Sequence, residues 1–311
     1  MMMETDVNSI LYQKTGMTIS KLALKLLSQN VGDRIPPITD YQTEFKVSRG
    51  TVQNAFTYLK SVGAIKLVNH GHQGTIIEEI NYEKLQENCL TQEILGIMPL
   101  PYSLLYEGFA TAIYEQLHKI KFNMAYARGA LGRIRLVESN TYQFAFVSQY
   151  AAEEAISKGR DIEILFDFGP GSFVSKHVLL LRDSDKSEIC DGMKVAYDKT
   201  SIDQSRITEN LIAGKKVKLV EIRIQNTIEA LKTGEIDAGV WNYDAIIENP
   251  VTGIHIVSLS QEQYNNLFST GVIVVKKGND YISELLLKKI NVDAVNRIVE
   301  EVKKGLRTAD Y

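Results

Sequence analysis

Residues 46–68 read KVSRGTVQNAFTYLKSVGAIKLV, and the fold of the amino-terminal part turns on this stretch. Ser48 suits the position just before a helix, because its hydroxyl can accept an N–H that the first turn leaves without a partner. From Arg49 the apolar residues Val52, Phe56, Leu59 and Val62 recur at helical spacing, which predicts a helix over 49–62 with one buried stripe. Gly63 stops it where a left-handed residue is favoured. Ala64 to Val68 then reads as a strand, 69–74 as a loop carrying two glycines, and Thr75 to Ile80 as the returning strand.

Upstream, Ile19, Leu22, Ala23, Leu26 and Leu27 predict a helix over 18–27, broken by Gly32-Asp33. Ile35-Pro36-Pro37 forces an extended entry into a short helix over 38–45, with Tyr41 and Phe45 on its inner side. Three helices followed by a hairpin make a winged helix-turn-helix, expected over residues 1–80. No Asp or Glu occurs from Phe45 through Ile77, whereas Lys46, Arg49, Lys60 and Lys66 do. A helix that enters the major groove passes between phosphates, so an acid-free end is what the docking requires. The residues expected to face double-stranded DNA are Arg34, Ser48, Arg49, Gly50, Thr51, Gln53, Asn54, Thr57 and Lys60, with His70, Gly71 and His72 at the wing.

Residues 81–92 are polar and charged and read as a linker or a linking helix. Beyond them short apolar runs alternate with helical patterns, which predicts an α/β domain over 93–311. The theme restarts after Gly192, so two lobes are expected: 93–185 with 268–311, and 190–262. Loops at the carboxyl ends of parallel strands converge on a cleft where helix starts attract anions. The ligand-binding candidates are Pro101, Tyr102, Ser103, Arg128, Gly129, Ala130, Ser148, Gln149, Gly171, Ser172, Lys199, Thr200, Ser201, Trp241 and Asn242. Arg128 and Lys199 could pair with a carboxylate or phosphate, while Ser148, Ser172 and Thr200 could donate hydrogen bonds.

Composition sets the outer limits. The chain has 311 residues, 44% apolar and 23% charged, with a net charge of −3, which suits a globular protein and excludes a wholly basic coat protein. Cys89 and Cys190 stand far apart, as in a reducing compartment, and give no metal or redox framework. No run reaches the apolar length of a membrane span, and Met1 to Leu11 lacks the pattern of a signal peptide, so a cytoplasmic location without membrane contact is expected. His118, His177 and His255 are isolated, and no HExxH, GxSxG or phosphate-loop motif occurs. No cofactor, metal or catalysis is therefore expected. The competing reading is an enzyme on the same two-lobed fold, with Asp203, Asp237 and Asp244 as acids that could meet in the cleft and the head serving for assembly. A third reading has a vestigial cleft in a domain that only dimerises.

The run Gly32-Asp33-Arg34-Ile35-Pro36, then Val47-Ser48-Arg49-Gly50-Thr51-Val52, then Leu59 with Gly63-Ala64-Ile65, resembles the DNA-binding domain of GntR-family regulators. The resemblance implies DNA contacts by Ser48, Arg49 and Thr51, and a minor-groove approach by residues 71–74. Pro37 and Thr39 depart from a Ser and an Arg usual in that family, and Gln53 from an Arg, which implies weaker non-specific affinity. The runs Tyr142 to Ser148 and Gly234 to Trp241 are similar to segments of type 2 periplasmic-binding-protein folds. The combination looks most like YhfZ-type regulators, implying a ligand-responsive transcription factor; because helix-turn-helix dimers address paired half-sites a homodimer is expected, and the helix starts at the cleft point to a small anionic effector.

Overall fold

The computed structural model describes residues 14–90, 93–260 and 264–311. They fall into two compact units. One holds the described residues through Ile94 together with Tyr114–Asn123 and Gly278–Asn291, and the other holds those of Leu95–Ile113, Met124–Lys277 and Val292–Tyr311.

The first unit opens with α1 (Lys14–Leu27), α2 (Ile38–Phe45) and α3 (Arg49–Ser61), followed by β1 (Ile65–Asn69), β2 (Thr75–Ile80) and α4 (Tyr82–Glu87). Leu22 and Leu26 of α1, Tyr41 of α2 and Val52 and Leu59 of α3 are buried together as the core. The Tyr41 ring meets Phe56 edge-on at 5.4 Å and Phe45 at 5.7 Å. Lys46 makes the turn between α2 and α3 in the left-handed region, at φ 55°. β1 and β2 pair antiparallel from Ile65↔Ile80 to Asn69↔Thr75, and Arg34 makes an isolated antiparallel bridge to Ile76. Three helices and a wing are what the sequence pattern led us to expect.

Two segments join this unit that the pattern placed elsewhere. Residues 82–87, read as a linker or linking helix, form a helix capped by Asn81 with Leu85 and Gln86 buried against this unit; Thr91 and Gln92 lie outside the described residues. The helix Asp280–Lys289 also packs here: Tyr281 meets Phe45 at 6.3 Å, and the Lys289 ammonium lies 4.6 Å from the centre of the Tyr82 ring. Sequence periodicity identifies a helix's apolar face but not the distant face that will cover it.

The second unit is built on two mixed five-stranded sheets. Its elements are β3 (Ile94–Met98), α5 (Leu104–Gln116), β4 (Phe122–Tyr126), α6 (Ala130–Glu138), β5 (Phe144–Ser148), α7 (Gln149–Ser157), β6 (Ile162–Asp167) and β7 (His177–Leu181). Then come β8 (Lys194–Tyr197), α8 (Ile202–Ile212), β9 (Lys218–Glu221), α9 (Thr227–Thr233), β10 (Ala238–Asn242), α10 (Tyr243–Glu248), β11 (His255–Ser258), β12 (Gly271–Lys276) and, after α11 (Asp280–Lys289) of the first unit, α12 (Val292–Lys303). Sheet order is β4-β3-β5-β12-β6 in the first lobe and β11-β7-β10-β8-β9 in the second. β5 runs parallel to β3 and antiparallel to β12, which returns the chain to the first lobe. All five residues of β5 are buried, as a central strand covered on both faces requires. β7 pairs antiparallel with β10 and β11, so the lobe boundary falls before His177 rather than near residue 185.

α5 and α12 touch closely where Gly108 meets the Val299 backbone: a Cβ at 108 would stand 2.9 Å from Val299 Cα. Gly108→Val should lower stability by about 1–3 kcal/mol through overpacking, read as a fall in melting temperature. Gly132→Ala, where nothing lies within 4 Å of the added Cβ, should leave it unchanged or raised.

Candidate functional site

In the first unit α3 presents a polar face. Ser48 caps the helix, its Oγ accepting the Thr51 N–H at 3.2 Å and sharing a 2.9 Å hydrogen bond with Thr51 Oγ1. Arg49, Gly50, Gln53, Asn54, Thr57 and Lys60 are exposed, while the opposite stripe of Val52, Ala55, Phe56 and Leu59 is buried. Between helix and wing runs a groove of about 610 Å³ that Arg34, Gln53, Thr57, Lys60 and Gly71 help to line. Gly71 and Gly74 turn the wing tip at φ 60° and 86°, with His70 and His72 exposed beside them. Lys66 contributes less free positive charge than its position suggests, because it pairs with Glu78 at 2.9 Å and Glu79 at 3.2 Å.

The second unit contains a cleft of about 450 Å³ between its two lobes. Of the candidates read from sequence, Tyr102, Arg128, Gly129, Ala130, Thr200, Ser201 and Asn242 line it. Pro101, Ser103, Ser148, Gln149, Gly171, Ser172, Lys199 and Trp241 do not. Several of these have work elsewhere. Ser172 Oγ donates to Gly169 O and accepts the Gly271 N–H at 2.8 Å; Gln149 reaches Glu153; Lys199 pairs with Glu221 at 2.6 Å. Ser148 stands just behind the cleft, capping α7 and donating to Asp203 Oδ1 at 2.7 Å.

The floor of the cleft holds residues that strand-end reasoning passed over. Arg133 on α6 is 3% exposed, and its guanidinium is fixed by donating from Nε to Phe146 O at 3.2 Å and from Nη1 to Ala127 O at 2.7 Å. Both acceptors are neutral carbonyls, and among the described residues no carboxylate stands at ion-pair distance. Burial pulls its pKa down to about 10, so it stays charged at neutral pH. Asp203, near the start of α8 in the other lobe, is also buried; that burial raises its carboxyl to about 7 against the opposing pull of Ser148 and Arg133. His177 is held neutral, its pKa lowered to about 4 by burial, and its Nδ1 has no hydrogen-bond partner. Gln204 Oε1 and Asn242 Nδ2 are likewise buried without partners. Tyr106 meets Tyr102 edge-on at 5.3 Å and Phe173 at 5.7 Å, giving the cleft an aromatic wall. One signal for Arg133 was available: it shares the buried stripe of Ala130, Ile134 and Val137. An arginine in an apolar row marks a charge with a special environment.

The other two acids do not join Asp203. Asp237 pairs with Arg182 at 2.5 Å and accepts the Lys194 N–H, and Asp244 accepts the Ser175 N–H at 2.7 Å. Among the described residues no group of His, Cys, Asp and Glu is placed to hold a metal ion, and no helix is long and apolar enough to cross a membrane.

An exposed helix-turn-helix and a two-lobed α/β domain with a polar cleft define a helix-turn-helix head followed by a periplasmic-binding-protein-like fold. Residues 30–77 match the model of a helix-turn-helix domain, and residues 81–311 match that of the YhfZ C-terminal domain. The chain is 30% identical to the YhfZ protein of Escherichia coli (strain K12) over 278 residues, 89% of this chain and 91% of that one. The chain belongs to the YhfZ family. The crystal structure of YhfZ from Shigella flexneri superposes at a TM-score of 0.60 with 26% identity, covering 70% of this chain and 93% of that one. The periplasmic aliphatic sulphonate binding protein SsuA of Escherichia coli shares the fold at a TM-score of 0.51 and 14% identity, over 69% of this chain and 77% of its own.

The buried acid gives a pH prediction. Between the ordinary carboxylate range and about pH 7 the folded chain keeps a proton on Asp203 that the unfolded chain has lost, so this group's contribution falls as pH rises. His177 acts in the opposite sense: folded it stays neutral down to about 4, so stability falls as pH drops below the ordinary imidazole range. Asp203→Asn removes only the first effect. Its melting temperature relative to wild type should therefore climb between about pH 5 and pH 8, and a constant difference would contradict the assignment.

Proposed function

We propose that this protein is a ligand-responsive transcription regulator, binding an operator through α3 and the wing and sensing a small anionic metabolite in the cleft. The helix-turn-helix match and the exposed, acid-free face of α3 support the first half. The observation that carries the second is Arg133, a buried guanidinium facing the cleft with only neutral carbonyls as partners. A buried charge left uncompensated costs several kcal/mol, and an anion entering the cleft relieves that cost. In this reading Ser48, Arg49, Thr51, Gln53, Asn54, Thr57 and Lys60 meet the duplex in the GntR manner, with Arg34, Gly50, His70, Gly71 and His72 supporting them. Tyr102, Arg128, Gly129, Ala130, Thr200, Ser201 and Asn242 surround the ligand. The protein works in the cytoplasm as a homodimer addressing an inverted repeat, since helix-turn-helix pairs read half-sites about one turn of DNA apart. Ligand occupancy biases the two-lobed domain toward one arrangement, and operator affinity follows. The enzyme alternative draws less support, because among the described residues His177 Nδ1 has no hydrogen-bond partner to orient it as a base and Asp198 is occupied by the Thr200 and Ile224 N–H groups.

Fluorescence anisotropy with genomic fragments tests the DNA half. Raising salt from 50 to 200 mM should weaken binding roughly a hundredfold if about four phosphates are contacted. Arg49→Ala and Gln53→Ala should each cost on the order of 1–3 kcal/mol and relax sequence preference. Salt-independent binding, or variants that bind as wild type does, would count against it.

A further inference from the structure

The cleft carries positive charge at two depths. Arg133 lies at the floor and is almost wholly enclosed, whereas Arg128 and Arg223, which also line the cleft, are exposed. The two exposed arginines come from opposite lobes. Arg128 ends the turn after β4, and Arg223 follows β9 just before the loop at 224–226. Arg128 is held across the opening by donating from Nη1 to Gln225 Oε1 at 3.2 Å, so a neutral amide rather than an acid is its partner. Among the described residues neither Arg128 nor Arg223 stands at ion-pair distance from a carboxylate. Asp198 is ionised and attracts Arg223 through space, but its own hydrogen bonds go elsewhere, Oδ1 accepting from Thr200 and Oδ2 from the Ile224 N–H. Asp203 is the one further acid in the lining, and it is turned toward Ser148.

We infer that the cleft takes a small two-headed anion, with one acidic group on Arg133 at the floor and a second between Arg128 and Arg223 at the mouth. The inference rests on the proposed anion-sensing role and narrows it to a class: compact dicarboxylates, and carboxylates bearing a phosphoryl group at the other end. Monoanions leave the mouth arginines unmatched. Zwitterionic amino acids would put an ammonium where the lining offers guanidinium groups. A planar carboxylate fits the floor, where the Arg133 fork is already oriented by its two carbonyls and keeps further N–H groups free. The orphaned Asn242 Nδ2 supplies one more donor to the enclosed part of the site. Because the mouth arginines belong to different lobes, the outer acidic group bridges them and favours the closed arrangement.

Trp241 is the only tryptophan of the chain and sits beside Asn242 on β10, so its fluorescence can report binding in the full-length protein. Propionate, succinate, 3-phosphoglycerate and glycine should be titrated at constant ionic strength, with calorimetry as a second readout. Succinate or 3-phosphoglycerate should bind at least tenfold more tightly than propionate, and whichever of the two is tighter identifies the outer group. In an Arg128→Gln, Arg223→Gln double variant that advantage should shrink at least tenfold while propionate affinity changes less than threefold; Arg133→Gln should weaken every anion. Equal affinities for propionate and the dianions, or an advantage that survives in the double variant, would overturn the two-headed ligand while leaving anion sensing intact. Glycine binding more tightly than succinate would overturn it in favour of a pairing with Asp203. Failure of all four probes to bind would remove the anion-sensing role as well.

Discussion

A guanidinium enclosed by protein, held by two carbonyl oxygens and facing an open cleft, is the constraint on which this account depends. Carbonyls orient Arg133 but do not neutralise it. A fold that buries a charge in this way needs its compensation from elsewhere, either from Asp203 across the cleft or from a ligand. Asp203 answers poorly to the first role. It is buried against Ser148 and its carboxyl is raised to about 7, so near neutrality it is only partly ionised. The second role fits the rest of the lining, where Asn242 and His177 leave polar atoms unmatched and the remaining acid, Asp198, is engaged.

The helix-turn-helix unit depends on the opposite arrangement, with charge and hydrogen-bonding groups kept at the surface. Val52, Ala55, Phe56 and Leu59 anchor α3, leaving Arg49, Gln53, Asn54 and Lys60 free to approach a duplex. The acid-free window closes at Glu78 and Glu79, which face Lys66 across the hairpin and limit the positive surface to the helix and the wing tip.

Much of this organisation is legible in the sequence because local rules govern it. The Ser48 cap, the stripe from Val52 to Leu59, the Gly63 stop and the glycines of the wing each act within a few residues, and the head follows from them. The two-lobed architecture was legible from the alternation of strands and helices, but its boundary was not. Val178 to Leu181 reads as an apolar run that would fit either sheet, and only pairing with β10 decides between them. The pattern places residues 280–289 with 268–311 in the first lobe, yet their partners, Phe45 and Tyr82, lie some two hundred residues away. The cleft was half legible. Strand-end turns located Arg128, Thr200 and Asn242, whereas Arg133 and Asp203 lie within helices, where orientation rather than chain position aims them at the cleft.

The most direct test is a crystal structure of the full chain grown in bromide, with anomalous scattering used to distinguish the halide from water. The account predicts bromide at hydrogen-bond distance from the N–H groups of Arg133 that the two carbonyls leave free. A guanidinium paired directly with the Asp203 carboxylate, with no halide in the cleft, would contradict it.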